Sequence, residues 1–422
     1  MYSKKKVIII GGGFAGIHLV RNLDPNIFDV TLIDKQNHHQ FQPLFYQVAT
    51  SQIEPSSISF PFRHIFKKKR NVQIRMAEVL KIDDPHKRVF TTIGEFEYDY
   101  LVIATGCKTN FFGNDEIAQY AMTLKTTYDA ITIRNRIVAS FEEAVSATAE
   151  ERELLLNLVI VGAGPTGVEL AGAFAEIKSH ILPKDYPGID FSKFNIFLIE
   201  GSKNTLNSMS ENAREASKRY LEKMGVKIIT EVFVKQYDGK MATLSTGETI
   251  RTKNLIWAAG VTGNLFPGIP EDLITPANRI KVSRTNQVVN FSSLFAVGDI
   301  AYMETPKYLR GHPQLANVAI NQAKLLARNL RAREMGKPEV EFEYVDRGSM
   351  ATIGKNKAVV DLPSFHFKGY FAWLVWMFLH LMFILSVRNK LIIFINWAWN
   401  YITRDTSLRL ILTPPEKRNN GS

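Results

Sequence analysis

Val159-Ile-Val-Gly-Ala-Gly-Pro-Thr-Gly-Val-Glu-Leu-Ala-Gly172 decides how this chain is read. Three β-branched residues predict a buried strand, the glycines a turn, and the residues after them the start of a helix. Gly162, Gly164 and Gly167 are spaced G-x-G-x-x-G. The first permits the tight turn, the second lets a pyrophosphate approach the backbone, and the third lets helix and strand pack closely. One such motif is weak evidence, but Val7-Ile-Ile-Ile-Gly-Gly-Gly-Phe-Ala-Gly16 opens the chain in the same way, with Gly11, Gly13 and Gly16 in register. Two dinucleotide sites imply two cofactors, the layout of a flavin enzyme reduced by a nicotinamide.

At 422 residues the chain is long enough for two or three domains with full cores. A net charge of +11 calls for a negative partner: nucleic acid, an anionic membrane surface or phosphate-bearing cofactors. The densest basic run, Lys67 to Arg70, lacks the interleaved aromatics that stack on bases, so it reads as a solvated loop and not as a nucleic-acid site. The single cysteine, Cys107, excludes an internal disulfide and a dithiol relay and points to a reducing compartment. No metal site is expected, because the nine histidines show no H-x-x-H or H-x-x-x-H pair. Lys4 to Ile10 is too short for a secretory signal and reads as a first strand.

Each glycine motif is followed by a strand ending in an acid. Phe28 to Asp34 places Asp34 eighteen residues past Gly16, near the spacing at which a carboxylate meets a ribose hydroxyl. Phe194 to Glu200 repeats the pattern, with Glu200 set further back by the turn-rich insertion Leu182 to Gly188. Tyr98 to Gly106 and Asn254 to Gly260 close the two units alike. The expected fold is therefore α/β, with two Rossmann-like dinucleotide-binding domains. Residues 1–113 and 265–335 form the first, discontinuous domain, and 114–264 the second. A C-terminal region follows over 336–422.

That tail holds nineteen residues without a formal charge, Gly369 to Val387, then a break at Arg388-Asn-Lys390 and an amphipathic run from Leu391 to Ile402. Trp373, Trp376, Trp397, Trp399 and Tyr401 are residue types that settle at a lipid headgroup boundary. The segment is expected to anchor the protein to a membrane. Lying in the interface is favoured over spanning, because the first run is short and the second amphipathic.

Taken together, Gly11 to Gly16, Phe41-Gln-Pro-Leu-Phe-Tyr-Gln-Val-Ala-Thr50, Gly162 to Glu169 and Phe295-Ala-Val-Gly-Asp299 resemble the type II NADH dehydrogenases, which are single-subunit, non-pumping NADH:quinone oxidoreductases. The resemblance runs from Val7 into the tail, and its most specific parts are the Phe41–Thr50 block and the Trp-rich end. It implies an FAD site at Gly11, Gly13, Gly16 and Asp34, with the Val79 backbone beside the adenine, Thr105 and Gly106 over the flavin, and Asp299 on the ribityl chain. It implies an NADH site at Gly162, Gly164, Gly167 and Glu200, with Gly260 closing that unit. It implies a quinone site walled by Tyr46, Gln47, Ala316, Asn317 and Asn321. In this last set the chain departs from the family pattern Ala-Gln-x-Ala-x-Gln, carrying Ala316-Asn-Val-Ala-Ile-Asn321 instead. Asn is one methylene shorter than Gln, so a quinone carbonyl must sit closer or a water must bridge.

Glu169 lies in the first turns after Gly167. A partly desolvated carboxylate there would order the nicotinamide or relay a proton to the quinone; the plainer alternative is that it packs and satisfies buried backbone. Cys107 reads as a small packed residue, and His380 either faces the quinone entrance or sits at headgroup level. The expected activity is hydride transfer from NADH to FAD and two electrons onward to a membrane quinone, at the NADH-containing (cytoplasmic) face of the membrane. A homodimer joined near the tail is compatible with this reading. A sulfide-oxidising flavoenzyme would need at least two redox cysteines. A reductase of a soluble electron carrier is disfavoured by the tail, and a non-catalytic NADH-sensing scaffold is separated from an enzyme by quinone-dependent turnover.

Overall fold

The computed structural model describes residues 3–405 and 408–412, and the chain forms two compact units. The first gathers the N-terminal stretch to Gln40 with Phe60–Lys108 and Val261–Asp346. Its centre is a parallel sheet in the order Leu294–Ala296, Tyr100–Ile103, Lys5–Ile10, Phe28–Asp34, Val72–Met76. The central strands are almost wholly apolar because both faces are covered, and Ile8, Ile10, Ile33, Leu101 and Ile103 form one core. The helices Phe14–Asn22 and Ala316–Glu334 pack against each other beside the sheet.

The second unit gathers Phe41–Ser59, Thr109–Gly260 and the chain from Arg347 onward. Its parallel sheet runs Met122–Thr123, Asn254–Trp257, Asn157–Val161, Asn195–Glu200, Val226–Thr230. Position for position this order matches the first sheet. The first strand in each order differs in origin: Leu294–Ala296 comes from later in the chain than the rest of its sheet, and Met122–Thr123 from earlier than the rest of its own. Each unit also carries a three-stranded antiparallel meander, Val79–Glu97 in the first and Val234–Arg251 in the second. The acidic run Glu150 to Glu153 is helical, within Ala149–Leu156, because Thr148 and Glu151 form a reciprocal cap.

The segments expected as a separate C-terminal region divide between the units. Residues 336–346 belong to the first, and 347 onward to the second, where Ser349–Thr352, Ala358–Leu362 and Phe365–Lys368 form a small antiparallel sheet. Residues 406, 407 and 413–422 of that region lie outside the described ones. The tail folds as two helices, Tyr370–Phe383 and Val387–Thr403. The break falls at Ile384 to Ser386 and not at Arg388 to Lys390 as the charges had suggested. The Lys390 ammonium reaches back to the Met382 carbonyl at 3.0 Å, satisfying an open end of the first helix from inside the second. Among the described residues no helix is long and apolar enough to cross a membrane.

The two glycine turns are superimposable in their physics. Gly11 and Gly162 have φ of +102° and +101°. A Cβ on Gly16 would lie 1.9 Å from the Gly11 oxygen, and one on Gly167 would lie 1.8 Å from the Gly162 oxygen. The Gly164 Cβ direction, by contrast, meets nothing within 4 Å. Gly167→Ala should therefore cost roughly 2 kcal/mol by forcing helix from turn, whereas Gly164→Ala should leave stability unchanged and weaken nicotinamide nucleotide binding. Urea unfolding and nucleotide titration of both variants check the contrast.

Candidate functional site

In each unit the acid at the strand end closes onto the glycine turn. Asp34 accepts the Gly12 N–H at 2.6 Å and the Gln36 N–H at 2.7 Å. Glu200 accepts the Ala163 N–H at 2.6 Å and the Ser202 N–H at 2.8 Å. Burial pushes the Asp34 carboxyl above its usual range, and the two N–H donors partly offset this. Gly13 and Gly164 are the N-caps of their helices and supply no side-chain cap. The first amides of both helices thus face outward at the positive end of the helix dipole, beside a spot that no Cβ fills. Pro165 presets the first turn of the second helix and gives up an N–H that has no partner inside the helix anyway. These cradles fit the pyrophosphate and ribose of a dinucleotide.

The rest of the first unit's set surrounds its cradle by sequence. Thr105 Oγ1 is buried without a hydrogen-bond partner, an orphaned group of the kind a bound cofactor satisfies. Gly106 has φ +65° and open space at its Cβ direction. Asp299 accepts the Cys107 thiol at 3.2 Å, so the cysteine expected to be inert packing is a partner of that carboxylate. Val79 begins the meander and pairs with Thr91. Two supporting residues were not singled out from sequence. Arg279, buried, donates to the carbonyls of Asp299 at 3.1 Å, Ala301 at 2.6 Å and His312 at 3.0 Å. Gln322 accepts the Gly298 N–H at 2.7 Å. Both fasten the Gly298–Ile300 turn, and no local spacing announces them. In the second unit Gly260 has φ +70°, and a Cβ there would run into the Phe112 ring at 2.5 Å.

The second unit also contains a cavity of about 430 Å³. One helix, Pro165–His180, joins the two features: its N-terminus forms the glycine cradle, and Glu169, Ala173, Glu176, Ile177 and His180 line the cavity along its length. Gly172 lets this helix approach the strand Ser349–Thr352, since a Cβ there would meet the Ile353 carbonyl carbon at 2.9 Å. Glu169 is 9% exposed, and burial pushes its carboxyl up to about 8. The Thr352 N–H, 3.5 Å away, opposes that shift weakly. The Trp376 indole N–H also favours the ionised carboxylate, but it lacks hydrogen-bonding alignment. Glu176, two turns further along, is likewise raised by burial and accepts the Lys355 N–H.

Opposite Glu169 stand the expected Tyr46 and Gln47. Trp397 Nε1 donates to Gln47 Oε1 at 2.8 Å, and Gln47 Nε2 donates to the Tyr46 hydroxyl at 2.9 Å. This chain spends the acceptor side of Tyr46 and leaves its O–H to donate elsewhere. Asn389 and Asn400 fasten the same C-terminal helix to the carbonyls of Ser57 at 2.9 Å and Gln52 at 3.1 Å. Ala316, Asn317 and Asn321 belong to the first unit, on the opening turns of its helix Ala316–Glu334, and are not in this cavity's wall. His380 stacks on Trp376, with ring centroids 4.0 Å apart, and also stays out of the wall. Among the described residues no group of acids, histidines and cysteine is placed to hold a metal ion.

Known proteins share this sequence pattern and fold. Residues 5–323 match the family described as pyridine nucleotide-disulphide oxidoreductase, and residues 347–405 match the NDH2 C-terminal domain. The chain is 33% identical over 416 residues to the type II NADH:quinone oxidoreductase Ndh of Mycobacterium tuberculosis, covering 95% of this chain and 89% of that protein. It is 28% identical to the type II NADH:quinone oxidoreductase of Staphylococcus aureus, covering 85% and 89%. Among solved structures, NDH2 from Plasmodium falciparum in complex with NADH superposes with a TM-score of 0.87 at 22% identity, over 97% of this chain and all of that one. The sulfide:quinone oxidoreductase of Aquifex aeolicus shares the fold at a TM-score of 0.70 and 21% identity, over 95% and 96%.

If Glu200 reads the coenzyme ribose, Glu200→Arg exchanges an acceptor for a 2′-hydroxyl for a cation that welcomes a 2′-phosphate. The ratio of kcat/KM for NADH over NADPH should fall by roughly tenfold or more. Steady-state kinetics with both coenzymes measures it, and an unmoved ratio would mean that another residue makes the distinction.

Proposed function

The chain belongs to the type II NADH:quinone oxidoreductases, and from that membership we propose how its own residues divide the work. The protein is an enzyme, a flavoprotein that oxidises NADH and reduces quinone without pumping protons. FAD, when bound, supplies the redox chemistry by taking a hydride and releasing two electrons.

In our reading the first unit holds FAD. Gly11, Gly13 and Gly16 form the pyrophosphate cradle, Asp34 meets a ribose, Val79 lies by the adenine, Thr105 and Gly106 cover the ring system, and Asp299 meets the ribityl chain. Gly162, Gly164, Gly167 and Glu200 do the same for NADH in the second unit, with Gly260 giving its closing turn. The quinone head enters the cavity of the second unit. The observation that carries this last assignment is the meeting of a neutral Glu169 carboxyl with a Tyr46 hydroxyl whose proton is uncommitted. Quinone reduction takes up two protons, and a carboxyl held near pKa 8 is largely protonated at pH 7. Asn317 and Asn321 are proposed as further quinone-facing amides, on the strength of the family pattern alone.

The tail is proposed to dock on a lipid surface. Phe371 (74% exposed), Phe378 (61%), Val387 (74%), Ile395 (61%) and Ile402 (79%) project from its two helices, far more apolar exposure than a water-facing helix pair carries. Arg388, Lys390 and Arg404 lie among them, and the +11 net charge suits an anionic headgroup layer. This corresponds to a peripheral or monotopic attachment at the NADH-containing face. A second copy of the chain is the other candidate occupant of that surface. Phe378→Asp with Ile395→Asp should then abolish flotation with anionic vesicles while NADH oxidation by a water-soluble acceptor continues. A loss of dimer without loss of flotation would favour the second copy.

The site assignment is tested in two half-reactions. Mixed anaerobically with NADH, the protein should lose its yellow colour, and a short-chain quinone should restore it. In Glu169→Gln the second step should slow by roughly an order of magnitude, toward the low end for loss of an acid catalyst. The wild-type rate of that step should fall as pH rises through about 8, where Glu169 ionises; the variant should show no such fall. The sign for stability is the same: a raised carboxyl favours the folded state fully below the ordinary glutamate range, and this contribution is lost as pH rises through about 8.

A further inference from the structure

We propose that Arg134 is the anchor of a buried halide site, which holds a single chloride ion between the helix Thr127–Ser146 and the turn at Thr50–Ser51. Arg134 is 1% exposed, yet its Nε and Nη2 have no hydrogen-bond partner. Native structures rarely leave a buried guanidinium bare, because each orphaned N–H forfeits its hydration and the charge forfeits more. The guanidinium cannot escape by losing its proton: burial lowers its pKa, but from a value so high that the group stays charged. The Glu54 carboxylate acts on it through space, but no ion pair joins them among the described residues.

The missing counter-charge has a place to sit. Arg134 opens on a cavity of about 20 Å³, room for one particle of about water size. Among the described residues its wall carries two guanidinium groups, Arg134 and Arg409, and no carboxylate. The carboxylates beside Arg409 are already engaged, since Asp185 pairs with it at 2.6 Å and Asp405 at 2.9 Å. Two of the wall's three hydroxyls have given away their protons, since Thr50 donates to the Tyr46 carbonyl at 2.8 Å and Tyr186 donates to Glu142 at 2.8 Å; the third belongs to Ser51. A phosphate, a sulfate or a carboxylate is too large for this volume. Water fits and can accept the two N–H bonds, but it brings no charge. A monatomic anion meets size, hydrogen bonding and charge together.

The location gives the ion a structural role. Thr50 and Ser51 directly follow the short helix Phe45–Ala49, whose Tyr46 and Gln47 form a wall of the large cavity. Ser51 holds φ +58°, a conformation that a non-glycine residue keeps only when its surroundings fix it. Chloride would pin this corner to the Thr127–Ser146 helix and so hold Tyr46 in place.

The test uses the full-length, FAD-loaded protein. Thermal unfolding would be followed at constant ionic strength in sodium chloride, bromide and gluconate, and a crystal would be soaked in bromide. The site predicts an anomalous bromide peak within hydrogen-bonding reach of Arg134. It also predicts a Tm roughly 2 °C higher in chloride or bromide than in gluconate, a difference that Arg134→Met removes. Should Arg134→Met fail to fold, the bromide peak and the anion dependence of the wild-type protein still decide. No peak, or the Glu54 carboxylate bonded to Arg134 instead, overturns the proposal. A peak without any anion-specific change in Tm means an adventitious ion only, and overturns it equally.

Discussion

Contact between a glycine Cα and a carbonyl oxygen, made twice, is the constraint on which this architecture depends. Gly16 and Gly167 each bring the start of a helix so near the preceding turn that a methyl group would overlap the Gly11 or Gly162 oxygen. That closeness turns the first amides of the helix outward at the strand ends, and the acid of the next strand captures the amide that remains. Asp34 on Gly12 and Glu200 on Ala163, both at 2.6 Å, are the same solution reached at two places in one chain. The proposed phosphate cradle and ribose acceptor would then follow from backbone geometry, with little left for side chains to decide.

The same closeness fixes the chemistry of the second unit. Once Gly167 sets the helix Pro165–His180 against its strand, Glu169 follows two residues later and is carried under the Thr352 backbone and the Trp376 ring. Its carboxyl is costly to ionise there, and that cost is what suits it to the proposed role of proton donor near neutral pH. The cavity it faces is completed by the segment Phe41–Ser59 and by the C-terminal helices, which meet through Trp397, Gln47 and Tyr46. Dinucleotide cradle and cavity are thus two ends of one helix.

Much of this was legible in the sequence, for reasons that differ by residue. The glycine motifs and their acids could be read because their arrangement lies in backbone geometry, which spacing encodes. Tyr46 and Gln47 could be placed in a pocket through family likeness, and not from local pattern. Arg279 and Gln322 could not be found at all, since their roles depend on carbonyls and amides brought close by the fold from distant chain positions. The tail break was misplaced for a related reason. Arg388 and Lys390 read as an interruption, but a lysine can cap the preceding helix from within the next one, so the charge marks the start of the second helix and not the gap.

The tail shows what composition alone left open. Its apolar residues alone fit either a spanning helix or a buried one. Folded, the two helices turn Trp376, Ile393 and Trp397 inward and leave Phe371, Val387, Ile395 and Ile402 outside. Trp376 and Trp397 of the inward set line the cavity that holds Glu169, and the outward set has no protein cover among the described residues. A quinone is itself a small polar head on a greasy chain. On the proposed quinone assignment, a cavity whose inner wall is hydrogen-bonding and whose outer skin is apolar would suit both halves of that molecule, and neither half would be served if the two helices ran straight on as one. The three-residue break at Ile384 to Ser386, which folds them back on themselves, is therefore as much a part of the site as the carboxyl it encloses.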